Sequence, residues 1–337
     1  MGAAMGDELE LLRAADPAPA GAGRWRDRPL DARAEAGLIR LLHHTRTRRA
    51  GRRLMLRAEA AVLALVAVVC FLLSDAGSSP AVAAPGPLVP HADTRPVPLA
   101  ELARRAEARA RAAAPGDGPH RGSHVQSWYL SMQEGPDAAP PVTVPEERIT
   151  RWNADGSGSE LVVATDPRHP GRPVIHDDDG HWRTVSDGKV LHRRTYPAGS
   201  EAQHGGLASR TRPPTDPAKL RAELAWLYDG AGGTRSVSPL LQALSSFRGE
   251  WTPGPRETAA VVRMLADAGG LRPVGSVTDR LGRRGEAYVH DGAGLRQMVI
   301  LDPRTGELLG LEETFTTDQP DFKVKAGQVM SYEAWLP

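Results

Sequence analysis

Residues 285–316 read GEAYVHDGAGLRQMVILDPRTGELLGLEETFT. Gly285 to His290 and Leu295 to Leu301 are two apolar runs separated by turn residues, which predicts a β-hairpin. Asp302-Pro303-Arg304-Thr305-Gly306 is a second tight turn, and Leu308 to Thr316 reads as the strand it feeds. A last strand is expected over Gly327 to Trp335. Upstream the same grammar recurs. His124 to Gln133 alternates loosely, and Glu147 to Ala154 runs into the turn Asp155-Gly156-Ser157-Gly158, answered by Ser159 to Ala164. Val174-Ile175 and His181 to Val185 flank Asp178-Asp179-Gly180, and Lys189 to Tyr196 follows Asp187-Gly188. Hairpins repeated with short turns predict a meandering antiparallel sheet.

Helical spacing interrupts the meander. Asp216-Pro217 is expected to cap Ala218 to Tyr228, whose Leu220, Leu224 and Leu227 share one side. Thr252-Pro253 is expected to cap Arg256 to Ala268, closed by Gly269-Gly270, and Ser238 to Phe247 reads as another helix. Leu99 to Ala114 is an Ala/Arg/Glu helix with a narrow stripe of Leu99, Leu102, Ala103 and Ala106, stopped by Pro115-Gly116. The predicted class is α+β, an antiparallel sheet with helices on one face.

Composition bounds the function. The chain has 337 residues, 42 Lys+Arg against 41 Asp+Glu, and a single cysteine, so an internal disulfide and a Cys-based zinc site are both excluded. The near-neutral total hides a split: residues 1–57 carry 12 Arg and 7 acids, which leaves 30 basic against 34 acidic residues for the remainder. Six of the seven Trp follow residue 75, where they supply large side chains to a core short of Phe.

The boundary of that split is Leu54 to Ser74, LMLRAEAAVLALVAVVCFLLS. Its uncharged part, Ala60 to Ser74, is too short for a hydrocarbon core of roughly 30 Å. Counted from Leu54 it spans, with Arg57 reaching the headgroups. Arg46, Arg48, Arg49, Arg52, Arg53 and Arg57 precede it with no acid among them, and the next basic residue beyond it is Arg95. The positive-inside rule places the N-terminus in the cytoplasm and residues 76–337 outside. The expected organisation is a basic cytoplasmic segment at 1–53, a transmembrane helix at 54–75, a Pro/Ala-rich linker with its helix at 76–122, and an extracytoplasmic α+β domain at 123–337. The competing reading is a cleaved signal peptide with Ala81-Val82-Ala83 as its cleavage pattern, giving a secreted protein released near Ala83. The long leader before the apolar run argues against it. Cys70 lies inside that run and lacks the small preceding residue of a lipoprotein cysteine.

Pro29 to Arg49 reads as an amphipathic helix, with Leu30, Ala34, Leu38, Leu41 and Leu42 at helical spacing. Membrane lipid is one occupant for it, each basic residue near an anionic surface contributing about 1 kcal/mol. A cytoplasmic protein partner gripping the Leu stripe is another. Nucleic acid is not expected, because no recognition-helix architecture surrounds the Arg run.

The search for chemistry yields no catalytic, cofactor-binding or metal-binding residues. His176-Asp177-Asp178-Asp179-Gly180-His181 is the most conspicuous polar cluster, but Asp-Asp-Gly is hairpin chemistry and strand alternation sends neighbouring carboxylates to opposite faces. Glu312-Glu313 reads as one inward-leaning and one solvated acid. Arg280-Leu281-Gly282-Arg283-Arg284-Gly285 reads as a solvated basic turn before a strand. No G-x-S-x-G, H-E-x-x-H, phosphate-binding loop or dinucleotide fingerprint is present.

DELELLRAADP near the N-terminus, SWYLS at 127–131, the DGSG turn, PTDPAKLRAEL, TPGPRETAAVVRMLADAGGL, VTDRLGRRGEAY and LDPRTGELLGLE together resemble a family of actinobacterial single-pass membrane proteins often encoded beside extracytoplasmic-function sigma factors. The resemblance covers most of the chain and is most specific from Asp216 to Glu312. It implies association with sigma-factor regulation, with a sigma factor as the partner of residues 1–53, and it transfers no catalytic residues. A looser likeness, to periplasmic lipoprotein carriers and to sensor subunits that bind anti-sigma factors, implies a sheet curved into a half-open barrel. The expected function is a non-enzymatic envelope sensor or an accessory to sigma-factor regulation, with an unknown extracytoplasmic ligand. The alternative is an anchored or secreted carrier of a lipid or other apolar molecule.

Overall fold

The computed structural model describes residues 85–114, 116–135, 138–199, 212–229, 237–292 and 294–337. The basic segment 1–53, the apolar stretch 54–75 and residues 76–84 lie outside these. Among the described residues no helix is long and apolar enough to cross a membrane.

The chain begins with helix α1 (Leu99–Ala112) and continues through β1 (His120–Ser131), β2 (Val142–Trp152), β3 (Gly158–Ala164), β4 (Val174–Asp178), β5 (His181–Val185) and β6 (Lys189–Tyr196). Helices α2 (Pro217–Asp229) and α3 (Val237–Glu250), the two-residue strand β7 (Trp251–Thr252) and helix α4 (Pro255–Ala268) follow. The chain closes with β8 (Arg272–Thr278), β9 (Arg284–Asp291), β10 (Leu295–Leu301), β11 (Leu308–Phe315) and β12 (Val329–Leu336). The class is α+β.

The main sheet runs β6-β3-β2-β1-β12-β11-β10-β9-β8, with β7 attached to β1, and every pairing is antiparallel. Two meanders, β1 to β3 and β8 to β12, are therefore joined where the first long strand meets the last. Trp128 lies opposite Tyr332 in that central pair. The sheet is open, with β6 and β8 at its two ends. Strands β4 and β5 form a separate hairpin that packs on β2 and β1 through Ile175 and Trp182 against Val142, Val144 and Tyr129.

One face of the sheet is covered by helices. Leu99, Leu102, Ala103 and Ala106 of α1 join Leu241 and Leu244 of α3, Val262 and Leu265 of α4, and Val125, Tyr288, Val299, Leu311 and Trp335 from the strands in one core. The stripe expected on α1 is the one buried. Asp216 caps α2 by accepting the Lys219 amide at 2.8 Å, whereas the cap expected at Thr252-Pro253 is not formed: α4 starts at Pro255 after Gly254, with no side-chain cap hydrogen bond. The Asp302 turn serves this layer too. Asp302 Oδ1 accepts the amides of Arg304 and Thr305, both at 2.8 Å, and Gly306 at φ 76° lies against both helices. A Cβ there would stand 3.0 Å from Ala106 Cβ and from Val262 Cγ2, which explains glycine at that position.

Three elements depart from the sequence expectation. Strand β2 starts five residues before Glu147 and passes through Pro145, because β3 pairs only with residues 147–152 and leaves the first part of β2 as an edge, where proline is tolerated. Strand β8 was masked in the sequence by Pro273 and Gly275, between which its register shifts. Residues 85–98, whose proline and alanine content reads as spacer, lie along the sheet rather than away from it.

Candidate functional site

The face opposite the helices carries the most unusual chemistry. Trp128 and Tyr332 meet there with ring centroids 5.5 Å apart, surrounded by Val277, Ala287, Val289, Met298, Ile300, Leu309 and Ala334. Each ring is covered by an arginine, Arg168 at 5.0 Å from the Trp128 centroid and Arg280 at 5.0 Å from that of Tyr332. Each arginine is in turn held by a buried acid.

Arg280 belongs to the loop between β8 and β9, and the loop's geometry follows from Asp279. Asp279 Oδ1 accepts the amides of Leu281 at 2.9 Å and Arg283 at 2.7 Å, and Gly282 supplies the left-handed turn at φ 79°. Arg283 spans back to Asp279 through Nε and donates to the carbonyls of Trp335 and Leu309. Arg280 pairs with Glu312, and the two side chains are 6% and 1% exposed. The expectation of a solvated basic turn is corrected here: two of its three arginines are turned inward onto acids and carbonyls. Glu312 and Glu313 do alternate between faces, but neither is solvated. Glu313 sits on the helix side, accepting from Gln297 Nε2 at 2.7 Å and Ser331 Oγ at 3.0 Å.

Residues 85–94 form a strap over this centre. Leu88 N donates to Glu312 Oε1 at 2.8 Å, and Arg280 donates to Gly86 O at 3.1 Å. Further along, His91 N donates to Ser276 O at 2.9 Å, and Ser276 N donates to Thr94 Oγ1 at 3.0 Å. The strap thus satisfies the outer edge of β8 at Ser276. Gly275, at φ 104°, makes room for it, since a Cβ would stand 2.8 Å from Thr94 Oγ1. Burial pushes the Glu312 carboxyl above the usual range, against the opposing pull of Arg280 and the Leu88 amide.

The second lid is Asp166, after β3. Its carboxylate accepts from Trp128 Nε1 at 3.1 Å and from Arg168 Nε and Nη2 at 3.0 and 2.8 Å, and it lies 3.0 Å from His169 Nδ1. Burial alone would raise its pKa, but the Arg168 and His169 hydrogen bonds bring it down to about 2. A small open cleft adjoins it, lined by Thr143, Pro145, Arg168, His169, Arg172 and Ile175 among others. With Asp166 and Glu312 both held in ion pairs, these groups act as struts for the aromatic centre rather than as free acids or bases.

Under the helices, Glu333 accepts from Ser245 of α3, and its carboxyl is pushed up by burial and by Glu313 nearby, with the Ser245 hydroxyl opposing. His176 to His181 forms the β4–β5 hairpin turn, with Asp179 at φ 53° and Gly180 at φ 88°. There Asp177 accepts from Gly180 N and Ser131 Oγ, and Asp178 pairs with Arg183. Among the described residues no group of three or more His, Cys, Asp or Glu side chains is arranged to hold a metal.

No protein-family model matches the chain, and no curated protein does. Among solved structures, a loose likeness is found to MucB, crystallised in complex with MucA(peri), at 14% identity and a TM-score of 0.23. That match covers 70% of this chain and 53% of MucB, so the chain spans about half the length of the protein it matches. The dehydratase domain from the CurK module of curacin polyketide synthase follows at 8% identity and a TM-score of 0.11, covering 72% of this chain and 82% of that one.

Proposed function

We propose that the protein is a non-catalytic, single-pass sensor of the cell envelope, with residues 1–53 in the cytoplasm, 54–75 across the plasma membrane and the sheet domain outside. The observation that carries this reading is the strap. Residues 85–94 leave the predicted span by way of only 76–84 and are then fixed to the sheet at Glu312, Arg280 and Ser276. A free linker isolates a domain from its anchor. A docked one makes displacement of the sheet a displacement of the tether, which a sensor needs and a mere anchor does not.

On this reading residues 1–53 engage a cytoplasmic protein, and the resemblance in sequence nominates a sigma factor. The carrier alternative has less behind it, because the apolar face on which a ligand would lie is filled by Trp128, Tyr332 and Ile300. Replacing residues 1–53 with an unrelated basic leader tests the proposal. Loss of the cytoplasmic partner and of any associated phenotype is expected, with the outer domain still folded and exported. An unchanged partner and phenotype would reduce residues 1–53 to a topology signal and refute the reading.

A further inference from the structure

The two ends of the main sheet are treated differently. Both end strands carry a register shift, at Pro273–Gly275 in β8 and at Leu191 in β6, but at β8 the strap also caps the outer edge. At β6 no described residue pairs with the outer edge, and the strand runs for 8 residues with all but two positions exposed. A long open edge of this kind presents unpaired N–H and C=O groups to any extended chain.

The side chains on it are of one sign. Lys189, Arg193 and Arg194 lie along β6 with no ion pair among the described residues. His192 lies 3.5 Å from Glu160, which is shared with Arg148 and stands opposite Arg194, whose guanidinium lies over the Tyr196 ring. Val190 is 41% exposed and pairs with Val163, so it sets one apolar side chain at the sheet's edge, while Arg193 ends the row that runs from Ile149 through Leu161.

We propose that the outer edge of β6 is a docking site for an extended acidic segment of another polypeptide, which adds to the sheet as one more strand. Backbone hydrogen bonds supply the pairing, Lys189, Arg193 and Arg194 select acidic side chains, and Val190 seats an apolar one. Charges on an edge strand also guard against association, but a guard of one sign is selective. A second copy of this chain would bring arginine against arginine and be repelled, whereas an acidic strand is attracted. This inference stands on the sheet edge alone and does not depend on the sensor reading.

The test uses full-length protein and a blocked peptide of alternating glutamate and valine, matched to the 8 residues of β6. Three comparisons accompany it: lysine in place of glutamate, proline in place of valine, and the K189E/R193E protein. Those two substitutions are chosen because Lys189 and Arg193 lie opposite Ala164 and Leu161, so neither places an acid against Glu160. The glutamate peptide should bind with affinity falling as salt rises, and it should slow amide exchange across 189–196. It should bind K189E/R193E at least tenfold more weakly, while the lysine peptide gains affinity for that variant. Absence of binding, equal binding of both charge types, equal binding of the proline peptide, or exchange protection away from β6 would each overturn the proposal. Unchanged thermal unfolding of K189E/R193E guards against a folding artefact.

Discussion

Arg280→Met is the substitution that probes the strap most sharply. The Arg280 side chain is 6% exposed, its guanidinium sits between Glu312, Gly86 O and the Tyr332 ring, and the Glu312 side chain is 1% exposed. Methionine fills much of the same volume but leaves the carboxylate in an apolar site with the Leu88 amide as its remaining partner. Removing one member of a buried pair costs about 3–5 kcal/mol, because the other charge stays buried. The size of the loss depends on pH. Burial already raises the Glu312 carboxyl, and without Arg280 it rises further. A group raised in the folded state contributes fully below its unfolded value and loses that contribution as pH climbs through the folded one. The variant should therefore be several kcal/mol less stable than wild type at pH 8, and the gap should narrow toward pH 5. Glu312→Leu in the Arg280→Met background should recover much of the loss at pH 8 by removing the stranded charge. Urea unfolding of full-length protein at the two pH values reads all of this. A loss under about 0.5 kcal/mol at pH 8, the size of an ordinary surface change, would refute the buried-pair argument, as would a large loss with no pH dependence.

Other substitutions test the remaining parts of the core. Asp166→Asn removes a carboxylate held at about pKa 2. A depressed acid stabilises above its unfolded value and loses that as pH falls, so the variant should be about 2 kcal/mol less stable near neutrality, with a flatter acid unfolding curve between pH 4 and 2. Glu333→Gln acts in the opposite sense: its raised carboxyl is a liability at high pH, and the variant should gain on wild type as pH rises from 5 to 8, read by the thermal midpoint. Leu102→Ala opens a cavity at a fully buried site between α1 and the sheet layer and should cost about 2–5 kcal/mol in denaturant unfolding, against little change if α1 were an independent linker helix.

The parts of the fold that were legible in the sequence are those set by local chemistry. The Asp302 and Asp155 turns, the Asp216 cap and the Leu99–Ala106 stripe each involve residues within a few positions of one another, and the hairpins around them followed. The strap was not legible, because most of its own contacting groups are backbone: the Leu88 and His91 amides and the Gly86 carbonyl carry no residue-type signature, and their partners lie at Glu312, Ser276 and Arg280. The same distance hid the role of Arg280, whose acid is 32 positions away. Alternation did place Glu312 and Glu313 on opposite faces. It could not say that both faces are covered, since the second cover is a segment whose composition resembles a spacer. The aromatic centre was equally invisible, because Trp128 and Tyr332 meet only when the first long strand pairs with the last.

The central claim, that the outer sheet and the cytoplasmic segment act through one continuous tether, is tested by cross-linking full-length protein in its own cells. Recovery of the cytoplasmic partner attached through residues 1–53 is measured for wild type and for a protein with a flexible Gly/Ser insert of about ten residues between Ala84 and Pro85. The insert leaves the strap, the sheet and residues 1–53 intact while freeing one side from the other. The account predicts a partner recovered through 1–53 in wild type and a several-fold change in that recovery with the insert, at equal abundance in the membrane. Equal recovery from both proteins would contradict it and leave the N-terminal segment as an anchor.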